Sequence, residues 1–169
     1  VYLNKFLKEE GYLFLEDVAE GKRHSHKHMK SETKAFAMDP ARIYIHKEGK
    51  YPNGSVRKDD EDKIIDELIK KFESFEIDGK KVVRKAYRKE DVFKGKLYEQ
   101  APDIVLIPEE NFVFRGNVAK DVLYDKDIFE GKHTQEDAFL VVKPRKGINV
   151  DVKDVPDVAD VVGIMDQMD

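Results

Sequence analysis

Apolar side chains recur at helical spacing most clearly over residues 59–75. Ile64, Ile65, Leu68, Ile69, Phe72 and Phe75 fall on one face, with charged residues on the other, and predict an amphipathic helix. Asp59, Asp60, Glu61 and Asp62 stand at its start, where the helix dipole favours negative charge. A shorter stripe of Leu3, Phe6 and Leu7 predicts a first helix that Gly11 ends. Residues 155–165 predict a last one, with Pro156 in its first turn and Val158, Val161 and Val162 buried. A brief helix is expected over 88–95, stopped by Gly95.

Between these segments the pattern turns to that of strands. Residues 12–15 read as a short strand, 42–46 as a β-branched and aromatic one after the Asp39-Pro40 turn, and 81–87 as a strand entered through Asp78-Gly79, a hairpin-type turn. Residues 102–108 are bracketed by prolines around the unbroken apolar run Ile104-Val105-Leu106-Ile107, which predicts burial on both faces, as in a mixed or parallel sheet. Residues 111–115 read as an edge strand, 51–54 as a turn and 143–147 as a basic turn. Ala138-Phe139-Leu140-Val141-Val142 reads as a buried strand behind the polar loop 131–137. Helices and strands alternate, so the expected architecture is α/β, a mixed sheet with flanking helices, in one domain over 1–169. Polar loops or insertions are expected around 20–33 and 116–130.

Composition narrows the function. With 31 basic and 35 acidic side chains the formal net charge is −4, which argues against a general nucleic-acid binder. There is no cysteine, so disulfides, thiolate metal sites and cysteine nucleophiles are excluded. No apolar run approaches a membrane span, and the first residues have neither a signal peptide's hydrophobic stretch nor transit-peptide character, so a soluble, cytoplasmic protein is expected. Abundant Lys and Glu without Cys or Trp suits a heat-adapted source. The chain opens on Val1 without methionine and is expected to be a piece of something longer.

Candidate chemistry centres on Gly131-Lys132-His133. The glycine lets the backbone bend tightly and present an imidazole, the commonest neutral metal ligand, at a loop tip; a surface histidine on a polar loop is the plainer alternative. The cluster His24-Ser25-His26-Lys27-His28 would put alternate histidines on one face of an extended strand, where they would bind a metal, or else forms a solvated loop. Thr134 reads as a loop hydroxyl without an activating base, and Asp125 and Asp127 lack a metal-ligand pattern. Phosphate-loop, dinucleotide, nucleophile-elbow and His-Glu-x-x-His motifs are all absent.

Taken in order, these segments resemble the C-terminal part of type I phosphodiesterases and nucleotide pyrophosphatases of the alkaline phosphatase superfamily. Tyr2-Leu3-Asn4-Lys5-Phe6-Leu7 through Gly11-Tyr12-Leu13 is similar to the helix after that family's Asp-His-Gly metal motif. Arg42-Ile43-Tyr44-Ile45-His46 resembles its Ile-Tyr-Ile-Asn strand, and Gly49 with Pro52-Asn53-Gly54 its following turn. Asp78-Gly79-Lys80-Lys81-Val82-Val83, Tyr87-Arg88-Lys89-Glu90 with Gly95, and Ala101-Pro102-Asp103-Ile104-Val105 match further blocks. His133 then stands where the family has its last zinc-binding histidine.

The resemblance implies an alkaline-phosphatase-like C-terminal portion and hydrolysis of a phosphodiester or pyrophosphate, with a nucleotide or other phosphodiester as substrate. Two divalent metal ions, zinc above all, would assist a threonine or serine nucleophile. Of that machinery only His133 maps onto this chain; no catalytic nucleophile and no substrate-binding residue does, so the isolated chain is expected to be inactive. Two departures stand out. His46 replaces the usual Asn, and the spacing from His133 to Asp137-Ala138 is a residue longer than in many relatives. A phosphomutase or sulfatase of the same superfamily and a free-standing, non-catalytic α/β binding domain are the alternatives. Self-association is expected if a sheet edge lies open.

Overall fold

A computed structural model describes residues 1–38, 40–126 and 138–168. The chain divides into two compact units, Val1–Ile128 and Phe129–Asp169. The first contains strands β1 (Ala35–Ala37), β2 (Arg42–Ile45), β3 (Glu76–Ile77), β4 (Lys80–Lys81), β5 (Val83–Arg88) and β6 (Ile104–Pro108), and helices α1 (Leu3–Glu9), α2 (Lys58–Glu73) and α3 (Lys89–Val92). The main sheet has the order β1-β2-β6-β5, so the last strand in sequence is inserted at its centre.

Every pairing in that sheet is antiparallel: Ala35 lies opposite Ile45, Ile43 opposite Ile104, and Tyr87 opposite Val105. This corrects the expectation of a mixed or parallel sheet, because apolar continuity in β6 does not by itself reveal strand direction. Burial alternates along β6. Ile104 and Leu106 are buried, while Val105 and Ile107 are half-exposed, so one face carries most of the core.

The helix predicted over 59–75 is α2. Ile64, Ile65, Leu68 and Phe72 are buried on its inner face, and Asp59, Asp60 and Glu61 occupy its first turn. In α1 the expected stripe Leu3, Phe6 and Leu7 is buried. The two helices meet through Phe6, whose ring stacks on Phe72 at 4.9 Å and lies 4.5 Å from Phe75. Such aromatic packing adds about 0.5–1.5 kcal/mol per pair beyond area burial. Asp78 (φ 51°) and Gly79 (φ 71°) both take left-handed backbone between β3 and β4, the geometry a two-residue hairpin of opposite turn hand requires.

Other expected elements shrink or vanish. Residues 12–15 and 111–115 form no named strand; they contribute only the single bridges Leu15 to Met29 and Tyr2 to Arg115. Of the Asp39-Pro40 turn, Asp39 lies outside the described residues.

In the second unit, Ala138–Val142 is not a buried strand: Phe139 is 88% and Val141 77% exposed. An apolar run needs a ladder partner to become a strand, and the described residues of that unit contain none. Its helix α4 (Asp160–Asp166) begins later than expected and buries Ile164, while Val158 and Val162 are exposed. The backbone N–H groups of Asp157 and Ala159 donate to the Asp160 and Asp157 carboxylates, a local turn that competes with an earlier helix start. No helix among the described residues is long and apolar enough to cross a membrane.

The turn after β2 is closed by a near approach of two backbones. A Cβ added to Gly54 would overlap the Lys47 carbonyl, which is backbone and cannot swing away. Gly54→Ala is expected to destabilise the chain by about 2–3 kcal/mol, at the upper end for an overpacked site. An unchanged urea midpoint would show that the turn opens freely.

Candidate functional site

His133 and the loop 131–137, with Thr134 and Asp127, lie outside the described residues, so the geometry of the expected metal ligand is not described. Asp125 is described and serves as a tie. Its carboxylate accepts from the Tyr2 hydroxyl at 2.8 and 3.0 Å and pairs with Lys120 at 3.2 Å. The Tyr2 hydrogen bond, aided by Lys120, holds that carboxyl below its ordinary range.

The histidine cluster does not lie on an extended strand. His26–His28 forms one 3-10 turn, in which neighbours two apart point in widely different directions. Each ring is separately engaged. The His24 Nε2 lies 3.0 Å from the Glu16 carbonyl oxygen, the His26 Nε2 2.9 Å from that of Ala37, and the His28 Nδ1 accepts the Ser25 N–H at 3.0 Å. Among the described residues, no group of three or more His, Asp or Glu side chains is placed to hold a metal ion. The described side chains therefore do not fit a metal centre by themselves, and they offer no ligand set through which a metal-assisted step can be drawn.

What the described residues do assemble is a polar hub, and the sequence reading missed it. Asn4, fully buried in α1, donates from Nδ2 to the Ala37 carbonyl at 2.6 Å and to the Gly116 carbonyl at 2.8 Å. Its Oδ1 accepts the Ala37 N–H at 2.8 Å. The amide thus pairs with edge strand β1 as a neighbouring strand would. His26 brings a second contact to the Ala37 carbonyl, packing its ring edgewise on Phe36 at 5.7 Å. Lys8 adds a donation to the Val118 carbonyl at 2.9 Å. The segments 22–28 and 116–120 are therefore both anchored to one peptide of the sheet.

Between those segments lies a cleft of about 500 Å³ lined by Val18, Lys22, Arg23, His24, Asn117, Ala119 and Lys120. Its size falls within the usual range for small-molecule sites. The lining contains three cationic side chains and a histidine, with no carboxylate. An asparagine inside the apolar stripe of a short helix was the one visible signal of the hub; the cleft residues looked like ordinary solvated loop.

A second buried constellation joins the two inner strands of the sheet to α2. Lys47 lies 2.8 Å from both Glu61 and Asp103, and the other Asp103 oxygen accepts the Ile45 N–H at 2.8 Å. All three side chains are largely shielded, Asp103 almost completely. Glu61, expected to serve the helix dipole, is thus also an ion-pair partner. Burial pulls the Glu61 carboxyl upward, but the hydrogen bond and charge of Lys47, with Lys58, outweigh it and the carboxyl ends below its ordinary value.

His46 is buried beside this group, with Nδ1 and Nε2 each 3.0 Å from a carbonyl oxygen, those of Thr33 and Pro52. It ties two turns together and is enclosed by Phe36 and Tyr51. Burial, then Asp103 and Tyr44, pushes the Tyr51 hydroxyl up to about 12, so the ring remains a neutral wall.

A family model described as type I phosphodiesterase / nucleotide pyrophosphatase matches residues 1–136. No curated protein and no solved structure matches the chain.

Two outcomes follow from the buried groups. Asn4→Leu strands the Ala37 N–H and the Gly116 carbonyl and is expected to cost about 2–4 kcal/mol in urea unfolding; a loss below about 0.5 kcal/mol would mean that water replaces the amide. Because the Glu61 carboxyl is lowered by folding, its contribution is complete above the ordinary carboxylate pKa and is lost as pH falls through the lowered folded value. Melting temperature against pH should therefore fall less steeply on the acid side in Glu61→Gln than in the parent. Parallel acid limbs would remove Glu61 from the acid response.

Proposed function

The chain belongs to the type I phosphodiesterase / nucleotide pyrophosphatase family, and on that footing we propose that it forms part of a metal-dependent hydrolase of phosphodiester or pyrophosphate bonds. The observation that carries this reading is the family match over residues 1–136, which spans the six strands found among the described residues and reaches past His133. His133 is assigned as one ligand of a two-metal centre, zinc being the cation suited to imidazole and carboxylate donors. Such ions would neutralise charge on the phosphoryl group. No residue of this chain is assigned as the nucleophile.

A catalytic zinc ion typically takes about three protein ligands, and His133 supplies one. Within the matched segment the antiparallel sheet, the Asn4 hub and the Lys47–Glu61–Asp103 group form a stiff framework.

Hydrolysis of bis-p-nitrophenyl phosphate, with zinc or manganese added, tests the assignment beside His133→Ala. No turnover is expected from either chain, and zinc affinity is expected to be weaker in His133→Ala. Equal zinc affinity in the two would overturn the role given to His133. Metal-dependent turnover by this chain would overturn the view that its centre is incomplete.

A further inference from the structure

The His46 ring faces two acceptors. It follows β2, is fully buried, and holds Nδ1 3.0 Å from the Thr33 carbonyl oxygen and Nε2 3.0 Å from that of Pro52. A carbonyl can only accept, and a neutral imidazole has one N–H to give. Only the imidazolium satisfies both. The neutral ring sets a bare nitrogen against an oxygen at one of the two contacts. Turning the ring over puts carbon where each nitrogen stood and loses both bonds. The backbone offers no escape. The His46 N–H donates to the Lys34 carbonyl at 2.8 Å, and the His46 carbonyl accepts the Ser55 and Val56 N–H groups at 2.9 and 3.1 Å.

The two contacts are not equivalent. The Thr33 carbonyl also accepts the Ser55 hydroxyl at 2.9 Å, so it keeps a donor when Nδ1 is bare. The Pro52 carbonyl has no other donor among the described residues. We propose that His46 is a proton-operated clasp: with both protons it ties residues 30–33 and 51–54 to the end of β2, and on losing one it keeps Nε2–H on Pro52 and releases Thr33. The release reaches further along the chain. The Thr33 hydroxyl accepts the Phe14 N–H at 3.1 Å and donates to the Phe14 carbonyl at 2.9 Å, so residue 14 moves with the same peptide.

The surroundings leave the choice to those carbonyls. Tyr51 lies nearly parallel to the ring at 6.0 Å and Phe36 edge-on at 6.0 Å, and Tyr44 of β2 stacks behind Phe36. Lys47, next in the chain, is bound by Glu61 of α2 and Asp103 ahead of β6, so these three charges answer one another. Lys50 in the following turn donates to the Glu99 carbonyl, and Lys34 has an exposed side chain. Among the described residues no carboxylate hydrogen-bonds the ring. Histidine is the side chain that ordinarily changes charge between about pH 5 and 8.

NMR of the full chain, labelled with nitrogen-15 in histidine, reads both ring nitrogens directly at about pH 5.5 and about pH 8.5. Contact with Tyr51 assigns His46 and sets it apart from His26, which packs on Phe36. Both nitrogens are expected to carry a proton at the acid pH and Nε2 alone at the alkaline one. The amide signals of Phe14 and of Lys34, which shares a peptide with the Thr33 carbonyl, should move along the same curve. Ser55→Ala removes the second donor at Thr33, and its alkaline ring is expected to divide the proton between Nδ1 and Nε2. One proton at both pH values, two at both, or Nδ1 as the protonated nitrogen of the parent overturns the proposal. So do amides that stay still through the transition, or an alkaline ring that Ser55→Ala leaves unchanged. None of these readings involves His133 or a metal.

Discussion

The described part of the first unit depends on one side-chain amide behaving as a strand. Asn4 gives the outer edge of β1 both a donor and an acceptor, so Ala37 is hydrogen-bonded as if the sheet continued. The Ala35 N–H is answered in turn by the Tyr12 carbonyl at 3.2 Å. Covering an edge in this way removes a template for pairing with other chains. It also explains why α1, only seven residues long, is securely placed: too short to be stable alone, it is held by a buried polar bond as well as by Leu3, Phe6 and Leu7.

The Lys47–Glu61–Asp103 group does for the interior of the sheet what Asn4 does for its edge. Lys47 follows β2, Asp103 precedes β6 and Glu61 opens α2, so one ammonium joins three elements distant in sequence. Desolvation makes such a group a poor source of net stability, but it strongly disfavours arrangements that leave any member unpaired. The hydrogen bond from the Ile45 N–H to Asp103 then links the charge group directly to the backbone of β2.

Much of this was legible in the sequence, for reasons tied to period. The 3.6-residue repeat of Ile64, Ile65, Leu68 and Phe72 has one structural solution, and Asp78-Gly79 is among the few dipeptides that suit two left-handed residues. Strand direction was not legible, because Ile104–Ile107 reads the same in either sense. Nor was the fate of Ala138–Val142, since hydrophobicity measures a side chain's preference and says nothing of whether a partner strand exists. The candidate site divides likewise. His133 stood out by residue type and resemblance, whereas the cleft is assembled from residues about 95 positions apart, a pairing that only tertiary structure reveals.

The geometry at Asn4 also sets how freely these positions can vary. Its three bonds require two donors and one acceptor on a single planar group at one fixed reach. Aspartate lacks the donors, glutamine carries them one methylene too far, and serine has a single hydrogen to give. Position 4 thus has one chemically complete occupant. Ala37 contributes only its backbone to the same bonds, so its side chain answers to packing alone, and the coding burden of the whole edge rests on one of the two partners.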